Sequence, residues 1–255
     1  KMNFINACFY GDFKKTKKIF EEENIDIHAN NEDAFRFACC NGYLEVAKWL
    51  LEISETIIDI HAEDEHAFRS ACRNGHLEVA KWLLYISVDH YLLREFGIID
   101  IHANNEDAFC FTCRNGNLEV AKWLIEIAEQ KKLGSINIHI NNEFAFRMAC
   151  FNGNLEVAKW LFEIANQKLE SINIHAENEE AFIWSSCLNY IETSKWLLTL
   201  YTIKELIKLN HPLAKEELEK RRKIKTNIEL ILYLHSKKFK MLDIRAIAII
   251  WNDYI

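Results

Sequence analysis

Two residue series in this chain have types that could do chemistry. Histidine recurs at His28, His61, His102, His139 and His175, and cysteine at Cys39, Cys72, Cys113 and Cys150. Imidazole and thiolate are zinc ligands, bases and nucleophiles. If successive rungs sit on packed helices they lie roughly 10 Å apart, whereas zinc holds its ligands at about 2 Å. Neighbouring histidines therefore cannot share an ion, and a structural hydrogen-bonding role is expected. The cysteines stand where a small buried side chain is needed, with Ser186 as a fifth rung. Cys110 and Cys113 form a CxxC, but no second CxxC or CxxH completes a zinc site. The acids Glu32, Glu65, Glu106, Glu143 and Glu179 recur with the same steps, and five equivalent sites describe a surface rather than an active centre. No phosphate loop, nucleophile elbow or HExxH occurs. Neither catalysis, nor a metal, nor a cofactor is expected.

The elements that carry these series are copies of one another. Residues 25–52 read IDIHANNEDAFRFACCNGYLEVAKWLLE, and the pattern returns at 58–84, 99–125, 136–162 and, in worn form, at 172–198. The histidine steps are 33, 41, 37 and 36 residues, and Gly42, Gly75, Gly116 and Gly153 keep them, with Asn189 next. All length variation falls after the LEVAKWL segment. Each copy predicts two short helices, the first from Ala34 to about Asn41 and the second from Leu44 to about Glu52. Asn30, Asn31, Glu32 and Asp33 suit the capping of the first helix. Gly42 suits a left-handed helix end, and Asn189 is the usual second choice. Neither helix is long enough to stand alone, so stacking must stabilise both. Trp49, Trp82, Trp123, Trp160 and Trp196 are expected to pack towards the adjacent outer helix.

Half the residues are apolar and 12% aromatic, ample for a large core, while 7 Gly and 1 Pro favour helices over a turn-rich β fold. The net charge of −7 divides into −12 on residues 1–198 and +5 on 199–255. An acidic body repels phosphate backbones, so no nucleic-acid partner is expected, and the basic run Lys220–Lys225 reads as a solvated helix face. No run of 18 apolar residues occurs, so no membrane association is expected. Eight cysteines without a secretory signal fit a reduced, cytoplasmic protein.

DAFRFACCNGYLEVAKWLL resembles the ankyrin repeat, aligning without a gap on the family's TPLHxAAxxGHLEVVKLLL pattern, and IDIHA stands where the family has ADVNA. The resemblance covers residues 25–198, preceded by a half copy in which Ala7, Cys8, Gly11 and Phe13 match Ala38, Cys39, Gly42 and Leu44. The finger between repeats is three residues shorter than the consensus, and Asp33-Ala34-Phe35-Arg36 replaces Thr-Pro-Leu-His. This short-finger variant is similar to ankyrin proteins of large DNA viruses of amoebae, which would place it in the host cytoplasm.

The resemblance implies an all-α ankyrin-repeat helical solenoid with short hairpin or loop fingers. Its parts would be an N-terminal partial repeat over 1–24, five repeats over 25–198 and a C-terminal helical cap over 199–255. Within the cap, Asn227–Leu234 echoes an outer helix and 241–251 is apolar. It further implies a monomeric, non-enzymatic scaffold that grips a partner protein with finger tips and the exposed side of the inner helices, on a concave face. The tips 30–33, 63–66, 104–107, 141–144 and 177–180 hold eleven acids, which suggests a basic partner segment. On this reading Glu32, Asp33, Glu65, His66, Glu106 and Asp107 meet the partner. Behind these acids Arg36, Arg69 and Arg147 pair with them and join the partner-binding set, the variable position supplies Arg73, Arg114 and Phe151, and Phe144 joins Phe151 as a hydrophobic hot spot. The alternative is an adaptor that recruits host machinery, such as a ubiquitin ligase, through 199–255.

Overall fold

The computed structural model describes residues 3–89 and 97–238, with side chains placed for 3–88 and 97–229; the apolar stretch 241–251 lies outside them. Among the described residues there are fourteen helices and no strand, an all-α repeat solenoid. The chain divides into two compact units, Lys1–Tyr190 and Ile191–Ile255.

The first compact unit is a row of helix pairs: α1 (Phe4–Tyr10) with α2 (Phe13–Glu22), α3 (Ala29–Cys40) with α4 (Leu44–Ile53), α5 (Ala62–Arg73) with α6 (Leu77–Asp89), α7 (Ala103–Arg114) with α8 (Leu118–Gln130), and α9 (Ile140–Phe151) with α10 (Leu155–Gln167), then α11 (Ala176–Cys187). The odd-numbered inner helices stack in chain order, and each outer helix packs on its own inner one. Where a repeat is longer, its outer helix grows from the 10 residues of α4 to the 13 of α6, α8 and α10.

The spine of the row is a ladder of buried rings, Phe35, Phe68, Phe109, Phe146 and Phe182, flanked by buried Ala38, Cys39, Ala71, Cys72, Cys113, Ala149 and Cys150. Small residues here let neighbouring helices approach; Ser186, the fifth rung, is only half-buried. Trp49 packs on the adjacent outer helix as expected, its ring 5.8 Å from Phe13 and 5.5 Å from Phe20 of α2, but three other tryptophans reach inner helices. The Trp82, Trp123 and Trp160 rings lie 6.2–6.3 Å from Phe35, Phe68 and Phe109 of the preceding repeat. These three rings reach across the repeat interface to the spine.

Gly42, Gly75, Gly116 and Gly153 adopt φ of 72–81°, and Asn189 takes 64°. Glycine has a second reason to be there. A Cβ on Gly116 would sit 2.6 Å from the Asn154 side chain of the next repeat, which itself donates to Arg114 O at 2.7 Å.

The second compact unit holds α12 (Ile191–Leu200), α13 (Ile203–Leu209) and α14 (Pro212–Lys238). Thr202 and Glu205 form a reciprocal capping box on α13. The echo at Asn227–Leu234 lies inside the single helix α14, since no glycine interrupts it. Within the basic run, Arg221 turns inward: it donates to Tyr201 O (2.7 Å), Leu198 O (2.8 Å) and Thr199 O (3.1 Å), and to Glu217 at 2.9 Å. It thereby satisfies the orphan carbonyls that end α12. Arg221→Ala is expected to cost about 2 kcal/mol, read as a lower urea midpoint and faster amide exchange confined to residues 191–229.

Candidate protein-binding face

Each finger begins with an Asx turn, in which Asp26, Asp59, Asp100, Asn137 or Asn173 accepts the N–H of the histidine two residues on at 2.9–3.1 Å. Three consecutive left-handed residues follow, such as Asn30 (φ 55°), Asn31 (φ 55°) and Glu32 (φ 66°). The lead-in therefore bends the chain rather than capping the helix, and no side-chain cap is made there. Asparagine tolerates this conformation better than most residues.

The bend turns the glutamate inward. Glu32 Oε1 lies 2.7 Å from His28 Nδ1 and accepts the Asp59 N–H of the next repeat at 3.3 Å. The same relay runs through His61, Glu65 and Asp100; His102, Glu106 and Asn137; and His139, Glu143 and Asn173. His175 and Glu179 repeat the pair. Because one oxygen accepts on both sides, Nδ1 carries the proton. Glu32, Glu65 and Glu106 thus join repeat to repeat at 5–7% exposure and are not available to a partner.

Arginine locks the bend from outside. Arg36, Arg69 and Arg147 each donate Nε and Nη2 to two carbonyls of their own left-handed turn, at 2.6–3.1 Å. Arg36 also pairs with Asp33, Arg69 with Asp107 of the next repeat, and Arg147 with Glu180 of the next. Their pairing with rim acids was legible in the sequence; their grip on the backbone was not. Of the eleven tip acids, Glu32, Glu65, Glu106 and Glu143 are buried, Glu179 is half-buried on His175, and Asp33, Asp107 and Glu180 are taken by arginine. Glu63, Asp64 and Glu177 remain exposed, two of them accepting from Asn31 and Asn142.

Beside the fingers, the outward faces of the inner helices carry a stripe of stacked side chains. The Arg73 guanidinium lies 4.2 Å from the Phe111 ring and Arg114 lies 5.5 Å from it. Phe111 meets Phe144 at 5.9 Å, Arg147 lies over Phe144 at 5.8 Å, and Phe151 meets Trp184 at 5.5 Å. The structure so brings together Arg73, Asp107, Arg114, Phe144 and Arg147 and sets Phe151 beside them. The sequence reading passed over Phe111 and Trp184. Their register reads Phe37, Ser70, Phe111, Met148 and Trp184, as varied as that of Arg73, and that variation was the available signal. His66 sits half-buried near the stripe's start; burial and the charges of Arg36, Arg69 and Arg73 hold its pKa below the usual histidine value.

A family model described as ankyrin repeats (3 copies) matches residues 4–92, 87–173 and 109–208. The chain belongs to the ankyrin-repeat family. Members of that family generally mediate protein–protein interaction without catalysis. A solved ankyrin repeat family protein from Legionella pneumophila aligns over 77% of this chain and 69% of its own, at 20% identity and a TM-score of 0.38. No curated protein matches the chain at a significant level. Among the described residues of this ankyrin protein, no three His, Cys, Asp or Glu side chains converge as a metal site, and no helix is long and apolar enough to cross a membrane. Burial pushes the thiols of Cys8 and Cys110 up to about 12 and that of Cys113 well above its usual value, which leaves them poor nucleophiles.

The ankyrin finger relay carries a pH signature. The hydrogen bond that His61 donates to Glu65 raises the His61 pKa above 6.5. At His102 and His139 burial acts downward, but Glu106 and Glu143 outweigh it and the net shift is upward. Groups raised in the folded state stabilise fully below the unfolded value and lose that contribution as pH rises through the folded one. His66 and His76, lowered mainly by burial, act oppositely and lose theirs as pH falls below 6.5. The urea midpoint is expected to fall as pH rises above 6.5, and His102→Gln with His139→Gln should flatten that limb.

Proposed function

We propose that this ankyrin protein is a non-enzymatic scaffold that binds a partner protein across the outward side of α5, α7, α9 and α11. The observation that carries this reading is the contrast between its two helical faces. The outer helices repeat the same exposed pairs, Lys48–Glu45, Lys81–Glu78, Lys122–Glu119 and Lys159–Glu156. The inner helices instead place different large side chains in each repeat, among them Arg73, Phe111, Arg114, Phe144, Phe151 and the 43%-exposed Trp184. A regular frame with one irregular face supports recognition there, since aromatic residues and arginine dominate binding energy at interfaces. Glu32, Glu65 and Glu106 are buried in the frame and lie outside this contact surface. Selection of a basic segment loses its ground with them. The eight unpaired cysteines favour work in a reducing compartment such as the cytoplasm. Affinity capture from cell lysate with the parent and with Phe144→Ala plus Phe151→Ala tests the assignment. At least tenfold lower partner recovery is expected from a variant that keeps the parent's helical content and cooperative unfolding; equal recovery would end it.

A second reading, an adaptor recruiting through the C-terminal segment, is favoured by one observation. Between α13 and α14 lies a groove of about 950 Å³ lined by Ile203, Ile207, Leu218 and Ile224 and edged by Arg222 and Lys225. Ile203→Asp with Ile207→Asp would remove a recruited protein while sparing one held by the inner helices.

A further inference from the structure

Resting on the binding face proposed above, we infer that its centre, Arg73 and Arg114 stacked on Phe111, takes a carboxylate from an acidic, aromatic-bearing segment of the partner. Five of the nine arginines in this acidic chain, Arg36, Arg69, Arg73, Arg114 and Arg147, stand on the outward side of the inner helices, whereas the outer helices carry lysine. Arginine's planar, weakly hydrated cation stacks on rings and forks onto carboxylates; lysine does neither well. The outer lysines are each neutralised by a glutamate one turn away, and exposed Glu52, Glu126, Glu129 and Glu163 leave that face net negative.

The inner face is different at its centre. Arg36 and Arg147 each have their own acid, Asp33 and Glu180. Arg69 and Arg73 share the single carboxylate of Asp107, which Arg73 reaches only at 3.5 Å with its side chain 39% exposed. Among the described residues, the Arg114 guanidinium makes no ion pair or hydrogen bond and lies 5.5 Å from the Phe111 ring. Two guanidinium groups thus share one carboxylate and a third, that of Arg114, has none, an excess of positive charge along this stripe of a chain whose net charge is −7. The Phe111 ring holds Arg73 and Arg114 without satisfying their donors, so little side-chain entropy is lost when a carboxylate arrives. Charge complementarity therefore specifies an acidic occupant, and the Phe144, Phe151 and Trp184 surface next to it specifies an aromatic neighbour.

The full chain is titrated by fluorescence anisotropy, at about 0.15 M salt, with labelled random Glu/Tyr and Lys/Tyr copolymers of matched length. The parent is expected to bind Glu/Tyr at least tenfold more tightly than Lys/Tyr, although its net charge alone would favour the reverse. Arg73→Gln with Arg114→Gln, both outward-facing, should weaken Glu/Tyr binding at least tenfold at an unchanged urea midpoint. Equal or tighter binding of Lys/Tyr, no binding of Glu/Tyr, or undiminished binding by the arginine variant would overturn the acidic preference. These outcomes are separate from the capture experiment: equal partner recovery with the Phe144 and Phe151 variant defeats the face itself.

Discussion

Phe109→Ala is expected to destabilise the chain by about 3–5 kcal/mol, the largest effect of any single truncation at this ladder. Phe109 is fully buried in the middle of the spine, and its ring is also the surface on which Trp160 of the next repeat rests, 6.3 Å away. Truncation leaves a cavity within α7 and removes a contact across the interface to the fourth repeat. In a row whose stability is a sum of repeat and nearest-neighbour terms, weakening a central interface also weakens the coupling of what lies on either side. Urea unfolding should therefore show both a lower midpoint and a shallower transition. Phe109→Leu, which refills most of the volume, should cost about 1.5 kcal/mol and keep the transition sharp.

Glu106→Ala is expected to cost roughly 2 kcal/mol, because it removes the shared acceptor of two part-buried donors at once. The His102 imidazole loses its 2.9 Å partner, and the Asn137 N–H of the following repeat loses the acceptor at 3.1 Å. Glu106→Gln retains a carbonyl for that N–H and should lose well under half as much, with a flatter alkaline limb. Glu63→Ala, at an exposed finger tip, should change stability by less than about 0.5 kcal/mol. Chemical denaturation of the three variants checks the ordering. If Glu106 were a rim contact, its alanine variant would instead keep the parent's stability.

The contrast between Glu106 and Glu63 shows how far the sequence could be read. Repeat period, helix pairing, the left-handed glycines and the buried cysteine ladder all follow from local rules and were legible in one copy multiplied by five. What could not be read was direction. Asn30-Asn31-Glu32-Asp33 looks like a polar tip in any one repeat, and only the three left-handed residues decide that Glu32 turns inward while its neighbours turn out. Invariance offered a clue: the glutamate stands in all five copies, whereas Asp33 becomes His66, Asp107, Phe144 and Glu180. A residue that never varies in a row of copies serves the contact between copies; one that varies is free to serve a partner. Trp82 was misdirected for a related reason, since its spacing places it on the outer helix but its length carries the ring to the spine.

Hydrogen exchange of the full chain with and without its captured partner tests the central claim, that the frame is self-contained and recognition belongs to the inner-helix stripe. Slowed exchange is expected in residues 69–73, 107–114 and 144–151, with none in the outer-helix stretches 78–84, 119–125 and 156–162. Protection centred on those outer stretches would contradict it.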